Sequence, residues 1–288
     1  MNLCSSKEIK ELMQTFGIRP SRALGQNFLI DSSVVERTAG LCCEGRSASI
    51  LEIGPGVGCL TERLAERYEK VVAIEIDSRL IPVLKFMLGN RSNIKIINAD
   101  VLKCNLREIT APYLDGGLSV CANLPYYITT PILMLLLESG IPFDYITVMV
   151  QAEVAARLCA SPGSQEYGAI TASLAYFGKA ERLFFVPARA FWPAPKVDSS
   201  VVRIRLYKEK PILALDEKIL SRVIKSAFGQ RRKTLVNALS AGFSELPKSA
   251  LAEIVEKCGH PADIRGERLG IAEFVAIANE ISRQRDLK

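Results

Sequence analysis

Residues 122–127 read Ala-Asn-Leu-Pro-Tyr-Tyr and close an apolar run, LSVCA at 118–122. An amide, a proline and two phenols at a strand end suit one task, the gripping of an aromatic amine. Such an amine has its lone pair delocalised into the ring and is a poor nucleophile. Two hydrogen-bond acceptors aimed at its hydrogens favour a pyramidal nitrogen and localise the pair. The side-chain oxygen of Asn123 can be one acceptor, and the carbonyl of Leu124 or Pro125 the other. Pro125 lacks an N–H and has a fixed φ, which holds that carbonyl in place. Tyr126 offers a ring face to a base, worth about 1–3 kcal/mol in stacking. No metal or nucleophilic side chain is needed, because positioning and electrostatics carry the chemistry. A proline turn with two packed tyrosines would give the same letters, so the neighbouring strand ends decide.

Three of those ends are informative. The stretch LEIGPGVGCLTERLAE (51–66) sets Gly54, Gly56 and Gly58 in a strand-to-helix turn. Glycine there allows positive φ and close approach of a ligand to the backbone, and the next helix aims its N-terminus at the same place. The spacing is GxGxG, not the GxGxxG of dinucleotide binders. Glu75 closes VVAIEID, 19 residues after Gly56. A carboxylate at that strand end can bind both hydroxyls of a ribose. Asp100 closes INADVL and would face the next part of the ligand, where an adenine amine could sit. The loop and the acids suit NAD and S-adenosylmethionine alike. The Asn-Leu-Pro-Tyr end favours S-adenosylmethionine, since an activated amine calls for an electrophilic methyl group.

The elements that must hold these ends alternate along the chain. Strand patterns at 48–53, 70–76, 93–99, 118–123 and 145–150 are separated by helical ones, such as 61–68 and 130–139. That alternation predicts an α/β fold, a Rossmann-like parallel sheet with helices on both faces. ERLFFV (181–186) and SSVVRIRLY (199–207) have no helix-length segment between them, which predicts antiparallel strands at the sheet edge. Beyond YKEKP (207–211) the pattern is helical, with Ile219, Leu220, Val223, Ile224, Ala227 and Phe228 at helix spacing. The expected organisation is a catalytic domain over 1–207 and a small C-terminal helical domain over 208–288.

Composition excludes several classes. Apolar residues make up 49% of the 288 and charged residues 24%, as in soluble globular proteins. The longest apolar runs, such as ILMLLL at 132–137, are too short to span a bilayer, and the first residues lack a signal-peptide core. Eight cysteines include no CxxC pair and there is one histidine, His260, so no metal site is expected. Free thiols fit a reducing compartment, and a cytoplasmic protein is expected. Of the net charge of +6, +4 falls in the last 81 residues, with 15 basic and 11 acidic side chains. There RVIKSAFGQRRKTL (222–235) holds Arg222, Lys225, Arg231, Arg232 and Lys233 with no acid. Such a stretch suits the phosphates of RNA.

Taken together, LGQNFLID (24–31), LEIGPGVGCLT, VVAIEID, NADVL, ANLPYYITTPIL, VMVQAEVAARL (148–158), FWPAPKVDSSVVRI (191–204) and FGQRRKTLVNAL (228–239) cover residues 18 to 240 in order. In these blocks the chain resembles the KsgA/RsmA-type small-subunit ribosomal RNA adenine dimethyltransferases. The resemblance implies a class I methyltransferase sheet and S-adenosylmethionine as donor. It implies two methyl transfers to N6 of each of two adjacent adenosines near the 3′ end of 16S ribosomal RNA. The expected substrate is a pre-ribosomal 30S particle, and a monomer is expected. It places Asn27 and Leu29 at the cofactor beside Gly54, Gly56, Glu75, Asp100 and Asn123. It also makes Phe191 a second stacking ring opposite Tyr126, in a segment that Pro193 and Pro195 keep from forming a regular helix. Trp192 and Ala194 depart from the expected pattern. The rival readings are a large-subunit RNA adenine methyltransferase of the antibiotic-resistance type, a non-catalytic RNA-binding assembly factor, and an NAD dehydrogenase.

Overall fold

The structure is a computed structural model and describes residues 3–45, 48–230 and 232–286. Its strands are β1 (Phe28–Leu29), β2 (Ser49–Ile53), β3 (Lys70–Glu75), β4 (Ile94–Asn98), β5 (Leu118–Asn123), β6 (Phe143–Gln151), β7 (Gly178–Val186), β8 (Phe191–Trp192) and β9 (Ser199–Leu206). Among the described residues they form a seven-stranded sheet of order β4-β3-β2-β5-β6-β9-β7 and a short β1–β8 ladder.

The chain divides into two compact units. One comprises the chain up to Ala155 with Ala180–Lys208, and the other Ala156–Lys179 with the chain from Glu209. The division expected at 207/208 therefore omits one segment. Residues 156–179 go with the later helices, because Tyr167, Ala172 and Tyr176 belong to their apolar core.

In the first unit, β2, β3 and β5 are runs of aliphatic residues buried almost throughout, as expected of strands covered on both faces. β2 pairs in parallel with β3 on one side and β5 on the other. The chain winds outward to β4 first and then crosses to β5 and β6, so the order reverses between β2 and β5. In open parallel sheets, ligands bind outside the carboxyl ends of the strands at such a reversal. β7 and β9 are neighbours in the sheet, but β9 lies inside it, antiparallel to β6. β7 takes the edge and is exposed or half-buried over most of its length, whereas six successive residues of β9 are buried.

Helices of this unit include α1 (Ser6–Thr15), α2 (Ser32–Leu41), α3 (Cys59–Arg67), α4 (Ile81–Leu88), α5 (Leu106–Thr110) and α6 (Thr129–Glu138). α1 is capped by Ser5, whose hydroxyl accepts from the Glu8 N–H, and buries Ile9, Leu12 and Met13 at helix spacing. Asp31 caps α2 by accepting from the Ser33 and Val34 N–H groups. α7 (Ala152–Leu158) leads into the second unit, which contains α8 (Ala169–Phe177), α9 (Glu217–Gly229), α10 (Leu235–Gly242), α11 (Lys248–Lys257) and α12 (Ile271–Asp286). Ile219, Leu220, Val223, Ile224 and Ala227 are buried on α9 as their spacing predicts. Phe228 is half-buried, its ring edge-on to Tyr167 with centroids 5.4 Å apart. Among the described residues, no helix is long and apolar enough to cross a membrane.

Candidate active site

The glycine turn follows β2 directly. Gly54, Gly56 and Gly58 all have positive φ, at 72°, 61° and 96°. At Gly58, which precedes α3, a Cβ would also stand 2.9 Å from the Leu88 side chain, so a glycine is required twice over. The Gly54 N–H donates to the Ile74 carbonyl at 2.9 Å, tying the turn to β3.

At the end of β3, Glu75 is 4% exposed. One carboxylate oxygen accepts from the Gly56 N–H at 3.1 Å and the other from the Asp77 N–H at 2.8 Å. Burial raises its pKa, partly offset by those two bonds. Each oxygen keeps a lone pair for a hydroxyl of the ligand. Ile76, the next residue, is 48% exposed and forms part of the same wall, an apolar face for a flat ring.

At the end of β5, the Asn123 Nδ2 donates to the Asn27 carbonyl at 3.2 Å. That bond fixes which end of the amide is which and turns Oδ1 the other way as an acceptor. The Pro125 carbonyl already accepts from the Ile128 N–H at 3.2 Å and from the Thr129 hydroxyl at 3.1 Å. Of the two carbonyls the sequence allowed as partner to Asn123, Leu124 is therefore the one left to act. Tyr126 is half-buried, and its hydroxyl is held by Ser199 at 2.7 Å; burial raises its pKa.

Gly54, Gly56, Glu75, Asn123, Leu124, Pro125, Tyr126, Asn27 and Leu29 line a single cleft. Gln26 locks the 24–29 segment over it, accepting from the Ser21 N–H at 2.7 Å and donating to Asp77 at 2.8 Å. Two expected residues stand elsewhere. Phe191 is 2% exposed and sits in the apolar core, because the β1–β8 ladder pairs it with Leu29. It lies behind the cleft wall and is not part of its lining. Asp100 lies two residues past β4; its carboxylate accepts from the Leu102 N–H at 3.0 Å and stands 3.5 Å from the Lys103 ammonium. Asp100 is not among the residues that line the cleft, and its turn bond uses one carboxylate oxygen.

Glu52 lines the cleft and was not foreseen, although an acid inside an apolar strand is itself a signal. It is 1% exposed, and among the described residues its Oε2 lacks a close hydrogen-bond partner. Burial pushes its pKa up to about 8, opposed by the neighbouring Thr61 hydroxyl and helped by the charge of Glu75. Below its ordinary value Glu52 is protonated in folded and unfolded chains alike. As pH rises from about 4.5 towards 8 the unfolded chain ionises first, so stability is lost through that window. Glu75 shifts the same way. Thermal melting of Glu52→Gln at about pH 5 and pH 8 should therefore differ less than that of the parent protein.

In the second unit, Arg222 is committed internally. Its guanidinium makes two bonds to Glu245, at 2.7 and 2.9 Å, and one to the Gly242 carbonyl at 2.6 Å. It is therefore a brace between α9 and the end of α10, and is not available to a phosphate as expected. Lys225, Arg232 and Lys233 are exposed, and Arg231 lies outside the described residues.

A parallel sheet reversing beside a glycine turn, with an acid at the next strand end, is the architecture of a class I methyltransferase. Solved structures agree in fold. A dimethyladenosine transferase from Plasmodium falciparum matches with a TM-score of 0.74, at 23% identity over 89% of this chain and 98% of that one. The 23S rRNA methyltransferase ErmE matches at 0.67, with 24% identity over 89% and 100%. Among curated relatives, proteins named ribosomal RNA small subunit methyltransferase A are 41% identical in Alkaliphilus metalliredigens, over 97% of this chain and 98% of the relative, and 42% identical in Bacillus cytotoxicus, over 97% of each. The family described as ribosomal RNA adenine dimethylase matches residues 19–280, and the chain belongs to it.

Proposed function

We propose that this protein dimethylates N6 of two adjacent adenosines near the 3′ end of small-subunit (16S) ribosomal RNA, using S-adenosylmethionine. The observation that carries the reading is the pair of acceptors at the end of β5, the Asn123 Oδ1 and the Leu124 carbonyl, beside the ring of Tyr126. The cleft fits the cofactor: Glu75 suits the ribose hydroxyls, Ile76 the purine face, and the glycine turn a close backbone approach. The buried oxygen of Glu52 leaves a polar atom that a ligand can satisfy. S-Adenosylmethionine supplies an electrophilic methyl group on a sulfonium sulfur. Asn123 and Leu124 hold the amine hydrogens, Tyr126 holds the base, and the amine proton passes to water. Asp100 keeps acceptor capacity beyond its turn bond, whereas Phe191 takes part in this reading only with its ladder rearranged.

The substrate is a pre-ribosomal 30S particle in the cytoplasm, and the protein acts as a monomer. The names of the relatives at 41–42% identity support the small subunit over the large one. Mass spectrometry of nucleosides after incubation with labelled S-adenosylmethionine tests this, with unmodified small and large subunits in parallel. Dimethyladenosine from the small subunit alone is expected. Product from the large subunit alone would point to the resistance-type reading, and no product from either to a binding factor.

The exposed basic residues of the second unit are read as phosphate contacts. Neutralising Arg231, Arg232 and Lys233 together is expected to flatten the slope of log affinity against log salt by about 2–3. Arg222→Gln, by contrast, should lower stability and leave that slope unchanged. A triple variant with the parent slope would remove this patch from the interface.

A further inference from the structure

A second concave surface borders the cleft. It shares Gly25, Gln26 and Asn27 with it and continues over Lys10 of α1, Arg19, Arg22, Trp192 and Lys196. All four cations are exposed, and neither Asp nor Glu lines the groove. Counting charge along the chain hides this surface, because residues 10, 19, 22 and 196 are scattered through a stretch whose net charge is close to balance.

Trp192 is the single tryptophan of the chain. The β1–β8 ladder sets it opposite Phe28, and the two rings lie 26° from parallel with centroids 6.5 Å apart. The Lys10 ammonium stands over the indole, 5.5 Å from the centroid. A base arriving at this ring would displace a flexible, hydrated ammonium, not a packed side chain, and the ammonium would then be free for a phosphate.

We infer that this groove holds the single-stranded RNA next to the adenosine in the cleft. The adjoining base lies against Trp192, and the flanking phosphates lie among Lys10, Arg19, Arg22 and Lys196. The inference rests on the activity proposed above. An adenosine that enters the cleft leaves its stack, so its neighbour loses a stacking partner as well. An aromatic ring and a run of cations are what restore stacking and neutralise a bare strand. With two adjacent adenosines to be modified, one rests in the groove while the other occupies the cleft.

Equilibrium binding to unmethylated small subunits tests the groove independently of catalysis. Trp192→Ala is expected to weaken binding about tenfold, and Trp192→Phe to restore most of the loss. A fourfold variant, Lys10→Gln, Arg19→Gln, Arg22→Gln and Lys196→Gln, is expected to reduce the salt slope by about 3. Affinity for S-adenosylmethionine, measured on each variant, should stay at the parent value and certifies the fold. Parent-like subunit affinity in Trp192→Ala together with a parent-like slope in the fourfold variant would overturn the inference. Failure of the proposed activity shows separately, as absence of dimethyladenosine from the parent protein.

Discussion

Asn123→Ala should lose at least 10²–10³-fold in single-turnover methyl transfer, the range seen when one preorganised polar contact to a reacting group is removed. The large effect follows from the double duty of one amide. Its Nδ2 is held by the Asn27 carbonyl, so its Oδ1 is presented without any reorganisation when the amine arrives. Alanine removes the acceptor and also leaves the Asn27 carbonyl short of a donor. Affinity for S-adenosylmethionine, measured by calorimetry, should fall far less, because Gly54, Gly56 and Glu75 remain. Asn123→Asp sharpens the test: it keeps an acceptor but can no longer donate to Asn27, so its rate should lie between parent and alanine. A rate within threefold of the parent in Asn123→Ala would remove the acceptor pair from the mechanism.

Glu75→Gln is expected to weaken S-adenosylmethionine binding by roughly 10- to 100-fold, from the loss of one charge-assisted bond to a ribose, worth about 1.5–3 kcal/mol. The substitution preserves shape, but its amide nitrogen cannot accept, so one of the two N–H groups held at 2.8 and 3.1 Å loses its partner. The parent protein should discriminate strongly against a cofactor analogue lacking the ribose 2′-hydroxyl, and the variant should not. Equal discrimination by both would mean that Glu75 serves the loop and not the ligand.

Much of the scaffold was readable from local pattern. Strands β2, β3 and β5 are largely apolar and buried, and their ends are punctuated by glycines, an acid and a proline, so the switch-point loops declared themselves. What escaped depends on long-range pairing. Phe191 reads as a stacking ring held at a pocket edge by Pro193 and Pro195, yet register with Leu29 draws it into the core. Asp100 reads as a strand-end acid, and the structure adds a turn bond from the Leu102 N–H to one of its oxygens. Arg222 reads as one more cation in an acid-free run, while its acid, Glu245, sits 23 residues away across a helix pair. The role of 156–179 was hidden because its aromatics, Tyr167 and Tyr176, show no shift in composition, only partners in α9 and beyond. Gln26 is a polar letter in a loop until its two bonds are seen.

The short ladder between β1 and β8 sets a timetable. Phe28 and Leu29 leave the ribosome early, but their partners Phe191 and Trp192 come from a far later part of the chain. Closing so long a loop is entropically costly and slow compared with local pairing. A nascent or truncated polypeptide that stops before β8 would hold Gly54, Gly56, Gly58, Glu75 and Asn123, and still lack the back of its binding chamber. Competence to modify RNA should thus appear abruptly, with the emergence of the last sheet strands, and not grow in proportion to length.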